Sequence, residues 1–410
     1  MAASLLAGLL AGLLLPALPP ALAQGLTTVL EPVGVLWLNA LRMTVLPLVV
    51  ALLVAGIGRS AQTAAANRLT LRAMRAFLLL LAVGALLGAA LTLIFLRLWP
   101  VSPAAAQALR AAAEGGASTV PVLPPLRDWV VSLIPANPFE AAASGAMLQL
   151  VVFAVLLGFA AARIADEPRE RLLGWFEALS EALFVLVRGV LWAGPLGVFA
   201  LALMVGQRGG WDAAGALGQY LVLACGVSVV LTLLLYPVAV LAGGVPLWAF
   251  ARAALPSQVV AISTQSSLAS LPAMLAGFAT LPGPRAGAEV VLPLAVSLFR
   301  MTSPLVNIAV VLFVAHVSGV HVGAGALVAG LLLAVVTSWS VVGLPSQITF
   351  FNTTVPMSLA MGVPTGLLPL LLAVEVIPDL FRTVGNVTAD LTVTAVVTRS
   401  HPSRANLSNT

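Results

Sequence analysis

The chain has 410 residues, of which 61% are hydrophobic and only 8% are charged, with a formal net charge of +5. A soluble protein of this length carries about a quarter of its residues as charged side chains, so this composition excludes a soluble globular protein and requires lipid around most of the surface. The basic residues are all arginines, mainly at the ends of apolar runs. That distribution is typical of membrane proteins and excludes a nucleic-acid partner.

Apolar runs long enough to cross a bilayer core of roughly 30 Å recur along the whole chain. We predict eight membrane-spanning helices, and the single Cys225, inside one of them, excludes an internal disulfide. The stretch 100–137, rich in Ala and Pro, is predicted to be an external loop. The predicted spans are residues 4–23, 33–57, 74–97, 141–163, 171–206, 214–243, 286–317 and 363–398.

Two further apolar stretches, 247–283 and 323–362, have arms that are too short to cross a bilayer. Each has a polar centre, at residues 263–267 and 343–347 respectively. Two short arms with an irregular tip predict a re-entrant helical hairpin, because such a tip is tolerated at depth only inside protein or a water-filled cavity. The order hairpin, span, hairpin, span predicts an inverted repeat whose binding site lies where the tips meet.

Arginine placement predicts the orientation of the chain in the membrane. Because loops that are rich in arginine stay on the cytoplasmic side, both termini are predicted to be cytoplasmic in a multi-pass protein of the cell membrane, the inner membrane in a bacterium. The arginines that carry this prediction include Arg59, Arg68, Arg72 and Arg75 in one loop, and Arg163, Arg169 and Arg171 in another.

The last predicted span carries every one of its charges on one face. We call this set the charged stripe: Glu375, Asp379, Arg382, Asn386 and Asp390. At the helical repeat these residues fall in a sector of about 80°. Each unpaired charge at the bilayer centre costs on the order of 2.5–3.5 kcal/mol, so the stripe must face a polar cavity or be paired within the protein. A salt bridge from Glu375 or Asp379 to Arg382 explains one pair only, and the excess of carboxylates indicates a bound cation.

The side chains of the stripe suggest how a solute is held. The Arg382 guanidinium is a planar fork suited to a carboxylate, and Asp379 can accept an ammonium. Asp390 and the Asn386 oxygen offer the hard oxygen ligands that a small cation such as Na⁺ prefers. Backbone N–H groups at the hairpin tips can bind a second carboxylate.

Residues 379–392 closely resemble the last-helix motif D-x-x-R-T-x-x-N-V-T-x-D of the dicarboxylate/amino acid:cation symporters, the glutamate transporter family. The resemblance extends over nearly the whole chain, and this sequence is a divergent member. Further stretches that resemble family motifs are residues 41–47, 134–139, 195–201 and 266–272.

The resemblance implies an all-α elevator-type transporter that assembles as a homotrimer. Its scaffold part comprises approximately residues 1–69 and 138–210, and its mobile transport part approximately 70–99 and 211–398. The transport part includes hairpin one (247–283), helix seven (286–317), hairpin two (323–362) and helix eight (363–398). By position, the resemblance implies that the solute is bound by Asp379, Arg382, Thr383 and Asn386, with Ser266, Ser267, Pro345 and Ser346 at the hairpin tips.

Two departures from the family concern one cation site. Where the family's seventh helix reads Asn-Met-Asp-Gly-Thr, this chain has residues 299–303, with Arg300 beside the missing ligands. The third-helix positions that carry oxygen ligands in the family look like Leu81, Gly84 and Ala85 here. Asn386 and Asp390 remain as candidate Na⁺ ligands. Arg300 is a candidate tethered cation that occupies the vacated sodium locus and pairs with Asp390 or Glu375. The alternative is that Arg300 extends elsewhere and snorkels.

The sequence therefore predicts a symporter for an acidic amino acid such as aspartate or glutamate, or for a C4-dicarboxylate. The coupling ion is Na⁺ or H⁺, and no other cofactor is expected. An anion channel or a non-transporting solute sensor on the same fold is the alternative. An enzyme is not expected, since the chain has no nucleotide fingerprint, no HExxH motif and no Cys/His metal spacing.

Overall fold

The computed structural model describes residues 2–15, 18–66, 68–113, 134–144, 146–282, 287–339 and 346–399. Over these residues the regular structure is helical with no strand, which confirms the predicted all-α class. The helices are α1 (Ala2–Leu14), α2 (Pro20–Ala66), α3 (Arg68–Leu98), α4 (Pro103–Ala113), α5 (Pro138–Ala143), α6 (Met147–Ala161), α7 (Asp166–Trp192), α8 (Gly194–Leu241), α9 (Leu247–Thr264), α10 (Ser267–Ala279), α11 (Ala288–Leu298), α12 (Thr302–Ser318), α13 (Ala324–Trp339), α14 (Ser346–Ala360), α15 (Leu368–Val374) and α16 (Val376–Val397).

Three helical stretches in the described part of the chain are long and apolar enough to cross a membrane: Leu69–Leu98, Gly210–Leu241 and Ala288–Ser318. Helix α7 and the start of α8 make a fourth if the two are counted as one bent span. In the most apolar 18 residues of Ala288–Ser318, 94% are buried inside the protein, whereas the corresponding shares for Leu69–Leu98 and Gly210–Leu241 are 39% and 33%. It therefore forms the centre of the molecule. The predicted total of eight spans stays a prediction.

Three predicted boundaries differ from the structure. The predicted span 4–23 is interrupted: α1 ends at Leu14 and α2 begins at Pro20. Proline is tolerated in the first turn of a helix but not in its interior, which explains why a new helix begins at Pro20. The predicted span 171–206 bends by 56° at the junction of α7 and α8, next to Pro195. The predicted loop 100–137 contains the Ala-rich helix α4, which packs against α8 and buries Leu109 completely.

The two stretches predicted as hairpins each contain a pair of short helices in contact. Helices α9 and α10 are joined by only Gln265 and Ser266, and Gln265 has a left-handed backbone with φ of 52°. Helices α13 and α14 also pack against each other, and residues 340–345 between them lie outside the described residues.

Helix seven, predicted as residues 286–317, is broken near its middle. Helix α11 ends at Leu298, Phe299 is extended with φ of −111° and ψ of 106°, and α12 begins at Thr302. Helix α3 packs closely over this break, with the Phe77 ring stacked on Phe299 at a centroid distance of 5.0 Å. Gly84 permits this approach, because a Cβ added there would lie 2.9 Å from the Met301 carbonyl oxygen.

Candidate functional site

The charged stripe lies on α16, with its first member, Glu375, at the junction of α15 and α16. Glu375, Asp379 and Asp390 are fully buried, and Arg382 is 3% exposed. Neighbouring helices α8, α9, α11 and α12 pack around α16. The stripe therefore faces the interior of the protein and not the lipid, as the cost of a charge in hydrocarbon requires.

Arg382 is bonded by Glu375, at the junction of α15 and α16, and by Asn307 on α12. Its Nη1 donates to Oε1 of Glu375 in a buried salt bridge, and its Nη2 donates to Oδ1 of Asn307 at 3.0 Å. The Tyr220 hydroxyl donates to the other oxygen of Glu375 at 3.2 Å. Glu375 and Asn307 fix the orientation of the guanidinium and Tyr220 fixes Glu375, so Arg382 is a positioned donor and not a mobile surface charge.

Asn386 joins α16 to the break in helix seven. Its Oδ1 accepts hydrogen bonds from the backbone N–H of Thr302 at 3.0 Å and from the Thr302 hydroxyl at 2.8 Å. The amide of Asn386 thereby satisfies one of the N–H groups that the start of α12 leaves without an intrahelical partner. The Thr302 hydroxyl has a single proton, and the Arg382 carbonyl at 3.2 Å is a second acceptor within its reach.

Asp379 and Thr383 are one turn apart on α16. The Thr383 hydroxyl donates to the Asp379 backbone carbonyl at 2.8 Å, which leaves the hydroxyl oxygen able to accept. The Asp379 carboxylate lies in the electrostatic field of Arg300, which comes from the break in helix seven. Arg300 itself is 3% exposed.

Hairpin one is docked at the beginning of α16. The Gln265 side chain donates to the carbonyl of Val376 at 3.1 Å, one turn before Asp379. Ser266 caps α10 by accepting the N–H of Ala269 at 3.2 Å, and Ser267 is buried. The structure thus brings this tip next to the beginning of α16. The contact of Ser266 and Ser267 with the solute stays a prediction.

The candidate residues of hairpin two are only partly described. Pro345 lies outside the described residues, and Ser346 is the first residue of α14. Their predicted contact with the solute stays a prediction.

Several buried donors around the stripe have no hydrogen-bond partner among the described residues. They are Arg382 Nε, Asn386 Nδ2, Asn307 Nδ2 and Ser267 Oγ. A buried donor that is left unsatisfied costs about 1–3 kcal/mol. Arg382 is one helical turn from Asn386 and hydrogen-bonded to Asn307, so three of these donors belong to one connected cluster.

Sequence reasoning missed three members of this cluster: Tyr220, Asn307 and Thr302. One signal was present, because Asn307 is a lone amide in the apolar span 286–317, and Tyr220 is one of only two tyrosines in the chain. Helical periodicity could not connect them to the stripe, since Tyr220 is 155 positions from its partner Glu375.

A search of the described residues finds no group of three or more His, Cys, Asp or Glu side chains that could hold a metal ion. The proposed Na⁺ ligands do not form such a group, because Asn386 offers an amide oxygen and only Asp390 offers a carboxylate. Their role as ligands stays a prediction.

Comparison with known proteins agrees with the geometry of this site. The family model for the sodium:dicarboxylate symporter family matches residues 1–400. The chain is 25% identical over 374 residues to the proton/sodium-glutamate symport protein of Bacillus subtilis (strain 168), covering 91% of this chain and 86% of that protein.

Two further relatives have similar coverage. The proton/glutamate-aspartate symporter of Escherichia coli (strain K12) is 24% identical over 90% of this chain and 85% of its own length. The C4-dicarboxylate transport protein of Azorhizobium caulinodans is 24% identical over 91% of this chain and 83% of its own length. The family and these relatives are transporters, which confirms the prediction that the chain is a membrane transporter and not an enzyme.

Proposed function

This chain belongs to the sodium:dicarboxylate symporter family, and from that premise we propose that it is a secondary active symporter for an acidic amino acid, aspartate or glutamate. A C4-dicarboxylate is the alternative solute, and the coupling ion is Na⁺ or H⁺. The names of its relatives support this range, since they are proton- or sodium-coupled glutamate symporters and a C4-dicarboxylate transport protein.

The observation that carries the proposal is the cluster of buried donors without acceptors around Arg382. Glu375 and Asn307 occupy the ends of the guanidinium but leave its Nε–H free of any partner in the described part of the chain. A solute carboxylate would accept from this N–H and from the Asn386 amide one turn away. Charge-assisted bonds of this kind are the stronger ones in proteins, and they are available only to an anionic solute.

Asp379 makes the proposal specific for an amino acid. Three carboxylates of the stripe face two buried guanidiniums, Arg382 and Arg300, which leaves one carboxylate in excess. A solute ammonium within this group of charges, with the Asp379 carboxylate and the Thr383 hydroxyl as acceptors, would balance the net charge of the group. A plain dicarboxylate would add negative charge there, so the excess favours aspartate or glutamate over succinate.

We also propose the elevator mechanism and the homotrimer that the resemblance implies. The proposed boundaries between scaffold and transport parts fall at interruptions of the helices. Helix α3 begins at Arg68, close to the boundary at 69–70. Gly210, with φ of 58° and ψ of −151°, interrupts α8 at the boundary 210–211. Breaks at these positions support two parts that move relative to each other.

Binding by the purified protein tests the solute. We expect binding of L-aspartate or L-glutamate, weaker binding of succinate, and none of L-serine, each measured with and without Na⁺ by calorimetry. Arg382→Lys should weaken aspartate binding by about tenfold or more, because lysine cannot form the planar fork. The exposed Arg252→Lys on α9 is the matched control and should bind as the wild type does. Serine binding as tight as aspartate binding would contradict the proposal.

Transport requires a second measurement, because an anion channel or a sensor on this fold could also bind the solute. The positive charge of Arg300 at the centre of the molecule is the observation that favours a channel. Proteoliposomes that accumulate radiolabelled aspartate against its gradient would support symport. Anion current without stoichiometric uptake would support the channel instead.

A further inference from the structure

Glu375 is a fully buried carboxylate whose two oxygens have different partners. Its Oε1 accepts from Nη1 of Arg382 in the buried salt bridge, and its Oε2 accepts from the Tyr220 hydroxyl at 3.2 Å. The Tyr220 ring is itself completely buried and packs against Phe313 at a centroid distance of 5.4 Å, so its hydroxyl is held at the carboxylate. Solute binding as proposed above uses Arg382 but gives no task to the acid that neutralises it.

These two partners can satisfy Glu375 with or without a proton. Arginine only donates hydrogen bonds, so Oε1 must remain an acceptor as long as it contacts Arg382. A tyrosine hydroxyl both donates and accepts. If Oε2 carries a proton, it can therefore donate to the Tyr220 oxygen while Oε1 still accepts from Arg382. A change in the charge of Glu375 then costs neither of its hydrogen bonds.

The surroundings single out Glu375 as the acid that is coupled to the guanidinium. Helix α12 offers it only the neutral amide of Asn307, which is bonded to the same guanidinium. Helices α1 and α14, which also pack against α15, have no titratable side chain within Ala2–Leu14 and Ser346–Ala360. The charged and titratable groups that face Glu375 are Arg382 and Asp379 on α16, Tyr220 and Cys225 on α8, and Arg300 in the break of helix seven, whose field reaches Arg382 and Asp379.

An acidic solute brings an additional negative charge into this site. Aspartate and glutamate have two carboxylates and one ammonium, whereas Arg382 is already neutralised by Glu375. A like charge nearby favours the neutral form of a carboxyl group, and a buried charge without compensation is strongly unfavourable. Uptake of a proton by Glu375 would remove the added negative charge, so that the loaded site carries the same charge as the empty one.

We propose that Glu375 is the proton acceptor that couples solute binding to H⁺. In the empty protein its carboxylate neutralises Arg382. When the solute carboxylate binds to this guanidinium, Glu375 takes a proton from water onto Oε2, with Tyr220 as the positioning residue that accepts from it. The proton returns to water when the solute leaves. The inference rests on the proposed symport function and names the residue that carries its coupling ion.

Calorimetry of L-aspartate binding to the purified full chain tests this inference. The heat of binding is measured in two buffers of different ionisation enthalpy, from mildly acidic to mildly alkaline pH, and the difference between buffers gives the number of protons taken up. We expect the wild type to take up a proton with aspartate, and its affinity to fall by up to about tenfold for each unit by which the pH rises. Glu375→Gln should bind aspartate without that uptake and with little dependence on pH.

Tyr220→Phe provides a second test that keeps the acid in place. It removes the bond that the ionised carboxylate accepts, which is stronger than a bond between neutral groups. The neutral form of Glu375 is then favoured, and the fall in affinity should begin at a higher pH than in the wild type. The control is Glu177→Gln, which removes a carboxylate from the partly exposed pair with Arg59 and should leave both proton uptake and the pH profile as in the wild type.

Two results would overturn the inference. One is aspartate binding by the wild type without proton uptake at any pH in this range. The other is equal proton uptake by the wild type and E375Q, since the proton would then be bound elsewhere. Binding of neither aspartate nor succinate would refute the proposed function and this inference with it, so the binding isotherm distinguishes the two kinds of failure.

Discussion

The buried ion pair between Glu375 and Arg382 gives the sharpest test of how the solute is bound. We expect Glu375→Leu to destabilise the protein by about 3–5 kcal/mol, because it leaves the Arg382 guanidinium uncompensated in the interior. In Glu375→Gln the amide oxygen can still accept a hydrogen bond from Arg382. The amide can also bond the Tyr220 hydroxyl, which lies 3.2 Å from the Glu375 carboxylate in the wild type. The substitution therefore removes mainly the charge, at a smaller cost of about 1.5–3 kcal/mol.

Aspartate should stabilise the E375Q variant more than it stabilises the wild type. In the proposed site the side-chain carboxylate of aspartate approaches the guanidinium that Glu375 already neutralises. When Glu375 is replaced by Gln, aspartate supplies the missing negative charge, so saturating aspartate should raise the unfolding temperature of E375Q by more than it raises that of the wild type. Differential scanning fluorimetry of the purified protein measures both values.

The control is Glu177→Gln, which removes a carboxylate from a partly exposed pair with Arg59 at 2.7 Å. Exposed pairs contribute about 0–1 kcal/mol, so E177Q should match the wild type in stability and in its response to aspartate. The reasoning is refuted if E375Q is as stable as the wild type. It is also refuted if aspartate stabilises E375Q no more than the wild type, because Arg382 would then not be the carboxylate-binding group.

Three further variants test the surrounding structure. Thr302→Val removes the hydroxyl that donates to Asn386 at 2.8 Å, and should cost about 1–2 kcal/mol in chemical unfolding, while Thr302→Ser restores it. Gly88→Ala places a Cβ against a backbone carbonyl of α12 and should lower the unfolding temperature by several degrees, whereas Gly226→Ala, which meets open space, should not. Ser266→Ala removes the cap of α10 at about 1 kcal/mol and should speed hydrogen exchange at the hairpin tip, with Ser266→Asp as the rescuing variant.

Sequence reasoning identified the stripe because its spacing is a property of one helix. Residues that are four, seven, eleven and fifteen positions after Glu375 share a face of any α-helix, and the structure buries that face. The paired short helices within 247–283 and 323–362 were also predictable, since each arm is too short to cross a bilayer. Their re-entrant course in the membrane stays a prediction. The first feature follows from the geometry of a single helix, and the second from comparing the length of each arm with the thickness of a bilayer. The sequence is sufficient for both comparisons.

The partners of the stripe could not be predicted in this way. Thr302 reaches Asn386 only because helix seven breaks at Phe299 and its second half starts against α16. The choice of Glu375, and not Asp379, as the salt-bridge partner of Arg382 was left open by the spacing, and the packing of Tyr220 and Asn307 decided it. Such contacts follow from tertiary packing, which no periodicity within one segment contains.

The two departures from the family pattern, at residues 299–303 and on α3, meet at the break in helix seven. Thr302 bonds the Asn386 oxygen there, and Gly84 lets α3 close onto the Met301 carbonyl. A Cβ at Gly84 would displace the peptide unit that carries both the Met301 carbonyl and the Thr302 N–H, so G84A and T302V should not be additive in chemical unfolding. Contacting sites of this kind typically couple by about 0.5–3 kcal/mol, and here T302V should cost less in the G84A background, where the bonds to Asn386 are already disturbed. Additive costs would show that the two departures are independent.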